Sequence, residues 1–220
     1  MIIPVLPAAA VGDDLMTGGL SLRKDRFISS FDVDFRETAS EISATLKRRS
    51  PILTIDVNGF NGRTVNNQLI TRTKTRRSEH WVLTGVTTLD DVFDGFHMGA
   101  DTLLIPYRDL PLNVLKEIND ISDRCIPIIL TDDRRSSSIS GFEDIMESMR
   151  NVQRCGFSDV AVLNTSDSNI WDDVLKENER TIPLVFGNAA SIIEKGFSDV
   201  LEVPSQVHTA QSRNYTHLSG

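Results

Sequence analysis

The sequence predicts a single (β/α)8 barrel. Three observations carry that expectation. Eight short apolar runs are spaced along the chain, helix-period segments separate them, and one helix-to-strand join recurs identically, GFSDV at 156–160 and at 196–200. The runs are continuous rather than alternating, as strands covered on both faces must be. Regular alternation of strand and helix implies a parallel sheet. Eight such units favour closure over the doubly wound sheet that is the nearest alternative.

The first run is IIPVL (2–6); MIIPVLPAAAV lacks a basic leader and is too short to span a bilayer, so it reads as a buried strand. GDDLMTGGLSLRKDRFISSF (12–31) is too long and glycine-rich for an ordinary βα turn and reads as a loop over the barrel mouth. FRETASEISATLKRR (35–49) places apolar residues at 35, 39, 42 and 46, one face of a helix. PILTIDV (51–57) and WVLTGV (81–86) are the second and third strands. TTLDDVFDGFHMG (87–99) opens on a threonine able to cap, has acids in its first turn and closes on glycine. TLLIP (102–106) and IPIILT (126–131) follow as strands. SGFEDIMESMRNVQRCG (140–156) sets Ser140 three residues before Glu143, the spacing of a capping box, and predicts a helix ending at glycine. DVAVLN (159–164), IPLVF (182–186) and DVLEV (199–203) complete the eight, so the barrel is expected over 1–207, with a polar tail at 208–220.

The formal charge of −8 argues against a nucleic-acid partner as the default and reads as a solvated acidic surface. Cys125 and Cys155 form no CxxC or Cys/His cluster, so no disulfide, metal or cofactor is expected and a reducing cytoplasm fits. No segment suggests a membrane span. The sequence leaves the oligomeric state open.

Barrel chemistry gathers at the C-terminal ends of the strands. Read in order, those ends are Pro7, Asp56 with Asn58, Thr84-Gly85, Pro106-Tyr107, Asp132-Asp133-Arg134, Asn164-Thr165, Gly187-Asn188 and Pro204-Ser205. Asp56 and Asn58 have two open readings, as caps of the loop that follows or as groups facing a ligand. Asp132-Asp133-Arg134 reads as a local ion pair on a solvated loop. Arg23, Lys24 and Arg26 are placed to clamp an anionic ligand if they are more than surface charge. Arg72, Lys74, Arg76 and Arg77 alternate with threonines and read as a solvated face rather than an RNA site. His80 and His97 have no partner at ligand spacing.

IDVNGFNGRTVNNQLI, TGVTTLDDVFDGFHMGADTLLIP and GFEDIMESMRNVQRCGFSDVAVLNTS, in that order after MIIPVL, resemble the HisA/HisF family of histidine-biosynthesis barrels, closest to its ribotide isomerase branch. The resemblance runs over residues 1 to about 207 and is most specific at the second strand. It implies a cytoplasmic barrel that binds a small phosphorylated sugar or nucleotide-like ligand. The family pairs two aspartates as acid and base, ending strands 1 and 6; this chain has Pro7 and Asn164-Thr165 there, neither a general acid at neutral pH. By resemblance the remaining acid–base candidates are Asp56, Asp132 and Asp167. The ligand and phosphate candidates are Asn58, Thr84, Gly85, Thr165, Gly187, Asn188 and Ser205. Where the family has phosphate-turn glycines, Pro106 and Pro204 each lack an N–H donor, and Thr87 replaces a basic residue. The expectation is a diverged, isomerase-like binder; a catalytically silent scaffold is the alternative.

Overall fold

The computed structural model describes residues 1–23, 26–166 and 169–203. Lys24, Asp167, Pro204, Ser205 and the 208–220 tail, all singled out from the sequence, lie outside the described residues. The eight expected runs are all strands: β1 (Ile2–Val11), β2 (Pro51–Asp56), β3 (Glu79–Leu83), β4 (Thr102–Pro106), β5 (Cys125–Asp132), β6 (Val160–Asn164), β7 (Thr181–Val185) and β8 (Val200–Glu202). They pair in parallel in chain order, β8 closes on β1, and β4 pairs with β5, so the barrel has no open edge. Helices α1 (Phe35–Thr45), α2 (Val57–Gly62), α3 (Asn67–Thr73), α4 (Leu89–His97), α5 (Leu112–Ile121), α6 (Ile145–Arg154), α7 (Trp171–Glu177) and α8 (Ala189–Glu194) fill the crossovers.

Alternation hidden within the apolar runs divides the core in two. Leu53, Ile55, Leu83, Leu104, Ile128, Leu163 and Leu184 belong to the cluster inside the barrel. Their neighbours Val82, Leu103, Ile105, Ile129 and Val162 belong to the cluster beneath the helices. Successive strand side chains point to opposite faces, and here both faces are dry. The two GFSDV copies are equivalent joins. Gly156 and Gly196 take φ of 102° and 112° at helix ends, Phe157 and Phe197 are buried, and strands begin at Val160 and Val200.

Three expectations are corrected. β1 does not stop at residue 6: Pro7 and Ala8 pair with Ile55 and Asp56, and Ala9–Val11 pair antiparallel with Asp14–Met16. Pro7 is therefore a buried residue inside a strand rather than a strand end. The 12–31 segment is not a loop but antiparallel structure, a strand at Asp14–Thr17 and a hairpin of Leu20–Arg23 with Arg26–Ser29. Leu20 and Phe27, 1% and 2% exposed, join the cluster inside the barrel, and the Phe27 ring centroid lies 4.7 Å from that of Phe60. The hairpin thus plugs the centre of the mouth. Third, residues 141–144 do not open a helix. Gly141–Asp144 pairs antiparallel with Arg135–Ser138, and α6 starts after Asp144, whose side chain accepts from Met146 N at 2.9 Å. Glu143 instead accepts from Tyr107 Oη at 2.6 Å and Ser148 Oγ at 2.7 Å, so it is not available to a Ser140 capping box.

His80 has a holding role. Its backbone N donates to Asp101 at 2.8 Å, and its ring nitrogens lie 3.1 Å from Thr73 Oγ1 and 3.3 Å from Gly99 O. Burial disfavours the imidazolium and pulls its pKa from 6.5 to about 4. The unfolded chain then binds more protons than the folded one between those values. Stability is complete above about pH 6.5 and is lost as pH falls towards about 4, by about 3 kcal/mol in full. Urea unfolding at stepped pH should show this loss, and His80→Gln should flatten that part of the profile; an unchanged profile in the variant would assign the loss to other groups.

Candidate functional site at the barrel mouth

Asp56 ends β2 at zero exposure. Its Oδ1 accepts from Gly59 N at 2.9 Å, capping α2, and its Oδ2 accepts from Thr84 Oγ1 at 2.8 Å, reaching to the residue after β3. Burial holds the carboxyl above the usual carboxylate range, partly offset by the Gly59 N–H and the Thr84 hydroxyl. Two glycines let this corner close. A Cβ on Gly59 would lie 2.0 Å from Asp56 Oδ2, and one on Gly85 would lie 2.2 Å from Gly59 O and 2.3 Å from Thr64 N. The glycine pattern that reads as a ligand loop serves close backbone packing here. Asn58, on α2, is exposed.

The other rim ends are also engaged from within. At the start of α4, Thr87 N and Thr88 N donate to Asp91 Oδ2 at 2.8 and 2.9 Å. Gly187 and Asn188 both take positive φ, 79° and 63°, ahead of α8, and Ala189 N donates to Glu202 Oε1 at 3.0 Å. At both helix starts a carboxylate of the chain itself supplies the negative charge that a phosphate would bring. Thr165 is exposed after β6, with its N and Oγ1 donating to Thr131 O at 2.9 and 3.2 Å. Asp132 is exposed at the end of β5. Arg134 forms no local pair with Asp132 or Asp133; it reaches Asp173 on α7 at 2.5 Å.

A cavity of ≈ 680 Å³ opens beside the plug, between the ends of β2, β4 and β5. Arg26, Arg63 and Arg108 line it, with Asn61, Ser137, Ser138 and Phe142. Each arginine is placed by a distinct local structure. Arg26 opens the second strand of the hairpin, paired with Arg23, and Asn61 clamps that strand, accepting from Phe27 N at 2.9 Å and donating to Phe27 O at 2.7 Å. Arg63 is the left-handed residue that ends α2, at φ 57°. Arg108 follows β4, is 8% exposed, and lies over the Phe60 ring at 4.4 Å. Asp109, with a side chain 1% exposed, lies 3.0 Å from Arg63 Nε and 3.2 Å from Arg108 Nε. Its Oδ1 is close to Arg63 but not aligned for a hydrogen bond, so that contact is an ion pair only. One buried carboxylate thus balances part of a three-arginine charge. Among the described residues the lining holds no carboxylate, imidazole or thiol, a composition suited to holding an anion rather than to proton transfer.

All the sequence-predicted residues within the described chain fall at the same end of the barrel, because the strands are parallel. Asp56, Thr84 and Gly85 meet in one corner; Asp132 and Thr165 sit on the β5–β6 side, and Gly187 and Asn188 beyond β7. Of the basic first loop, Arg26 lines the cavity. Arg63 and Arg108 were missed. Their signals were present: Asn-Gly-Arg closing a short helix, and a charged Arg-Asp pair directly after an apolar strand. Comparison with protein-family models and with curated proteins gave no match.

Gly85→Ala should destabilise the fold by about 3 kcal/mol or more, because the new methyl group would meet backbone atoms of Gly59, Arg63 and Thr64, which cannot swing aside as a flexible side chain would. Gly62→Ala, whose Cβ would meet only Thr64 Oγ1 at 3.6 Å, should be neutral or better. Urea midpoints of the two variants make the comparison, and equal midpoints would mean the corner is not tightly closed.

Proposed function

We propose that the protein is a HisA-like barrel that binds a small phosphorylated ligand, a sugar phosphate or nucleotide-like anion, in the cavity between Arg26, Arg63 and Arg108. The convergence of three guanidinium groups on one cavity carries this reading. Planar guanidinium forks match phosphate oxygens in bidentate fashion, and the Ser137 and Ser138 side chains stand in the same lining. Next to the phosphate turns suggested by family resemblance, Asp91 and Glu202 accept from the N–H groups of Thr87, Thr88 and Ala189, which favours the arginine cavity over those turns. Binding without isomerisation fits best, since Pro7 lies inside a strand and Thr165 donates to Thr131 O. A silent scaffold is the second reading, favoured by the plugged mouth. No helix among the described residues is long and apolar enough to cross a membrane. The two buried free cysteines support a reducing compartment, in line with a cytoplasmic protein.

Calorimetric titration with ribose 5-phosphate should give saturable binding that weakens with salt. Arg63→Ala removes a side chain that is 65% exposed and should weaken binding about 10-fold or more, as loss of a charge-assisted hydrogen bond does. No heat up to millimolar ligand would favour the scaffold reading. A strain lacking the ribotide isomerase should not grow on this protein alone; robust growth would establish an acid–base pair that this reading denies.

A further inference from the structure

A second charged surface lies at the opposite end of the barrel, on the loops that lead into β2, β3 and β5. Between residues 36 and 77 the chain has nine Lys and Arg and only three Asp and Glu, in a protein of net charge −8. Arg63 belongs to the mouth, and the fold brings Arg36, Arg49, Arg72, Lys74, Arg76 and Arg77 together. Arg49 N donates to Arg77 O at 2.7 Å and Glu79 N to Ser50 O at 3.3 Å, so the 46–50 and 74–78 loops are tied side by side. Residues Lys74–Arg77 form a wall shared by two concavities. One, of ≈ 730 Å³, runs along α1 and includes Arg36 and Arg72. The other, of ≈ 610 Å³, includes Arg49 and Arg124. Arg49, Lys74, Arg76 and Arg77 are exposed, and among the described residues none of the four forms an ion pair.

We propose that this face binds the phosphate backbone of a nucleic-acid duplex. Arginine predominates over lysine in both linings, and Thr71 and Thr75 stand between the charges at the surface; that mixture is typical of contacts to phosphate oxygens. Phe35, the one Phe, Tyr or Trp in either lining, is 1% exposed. The surface therefore offers no platform on which to stack unpaired bases. Binding is through the backbone, independent of base sequence, and suited to bases already stacked in a duplex. Glu79 and Asp101 also line the second concavity, where Arg49, Lys74, Arg76, Arg77 and Arg124 outnumber them; a phosphate chain within about 10 Å responds mainly to that local excess.

Fluorescence anisotropy of a labelled RNA duplex of arbitrary sequence tests the proposal. With about four phosphates neutralised, affinity should fall about 50-fold between about 50 and 150 mM salt. The double variant Arg76→Ala and Arg77→Ala should bind about 10-fold more weakly or worse, with the salt slope reduced by about two. Lys116→Glu, on exposed α5 surface, makes the same change in net charge and should bind as the parent does. A second pair, Arg49→Gln with Lys74→Gln, repeats the test should the first variant melt early. Absence of binding at about 50 mM salt, an equal loss in Lys116→Glu, or displacement by polyglutamate as readily as by unlabelled duplex would each overturn the proposal; the last would identify an acidic polypeptide as the partner.

Discussion

The two hydrogen bonds of the Asp56 carboxylate set much of the rest of the mouth. A buried carboxylate is costly to hold unless donors reach it, and here one comes from the first turn of α2 and one from the end of β3. Meeting both forces the chain to turn at once after β2. That turn brings the backbone of residues 59–64 so close to β3 that only glycine fits at 59 and 85. It also sets Phe60 between Phe27 and Arg108 and brings Arg63 beside Asp109. The arginine cavity is therefore a consequence of a polar contact that never touches solvent.

The rim shows a consistent substitution of internal for external charge. In barrels that hold phosphates, helix N-termini and glycine turns present free N–H groups to the ligand. Here Asp91 accepts from Thr87 N and Thr88 N, Glu202 accepts from Ala189 N, and the hairpin packs into the cluster inside the barrel. Each contact is made within the protein itself, and the open, arginine-lined cavity lies to the side of the mouth. A barrel architecture by itself does not fix function.

The eight strands were legible because burial on both faces needs long apolar runs, and these survive any change at the rim. The start of α6 was not, because Ser140 and Glu143 match a cap in spacing while hydrogen bonds from Tyr107 and Ser148 hold Glu143 in a hairpin. The plug was read as a loop for a related reason: four-residue strands with one inward apolar residue each carry little periodicity. Among site residues, the cluster at 55–62 reads in sequence as a ligand-facing strand end, while in the fold Gly59 serves close backbone packing. Its aspartate is sealed, and the charges that line the neighbouring cavity are Arg63 and Arg108, to which the sequence reading assigned no role. Tertiary proximity to Asp109 and Phe60 distinguishes them, and no local pattern reports it.

The plug also bears on the order in which the molecule is made. Leu20 and Phe27 are synthesised before Phe60, Leu83, Leu104 and Ile128, the residues that share their cluster. A nascent chain therefore carries an apolar hairpin with nothing to cover it until more than half of the barrel has left the ribosome, a period in which such surfaces invite association. Seating the hairpin and closing the ring become a single late event. The contacts it needs are distant in sequence, so the step is slow by topology, and the short strand at Asp14–Thr17, paired with the end of β1, keeps the waiting segment tethered close to the strand it will eventually seal.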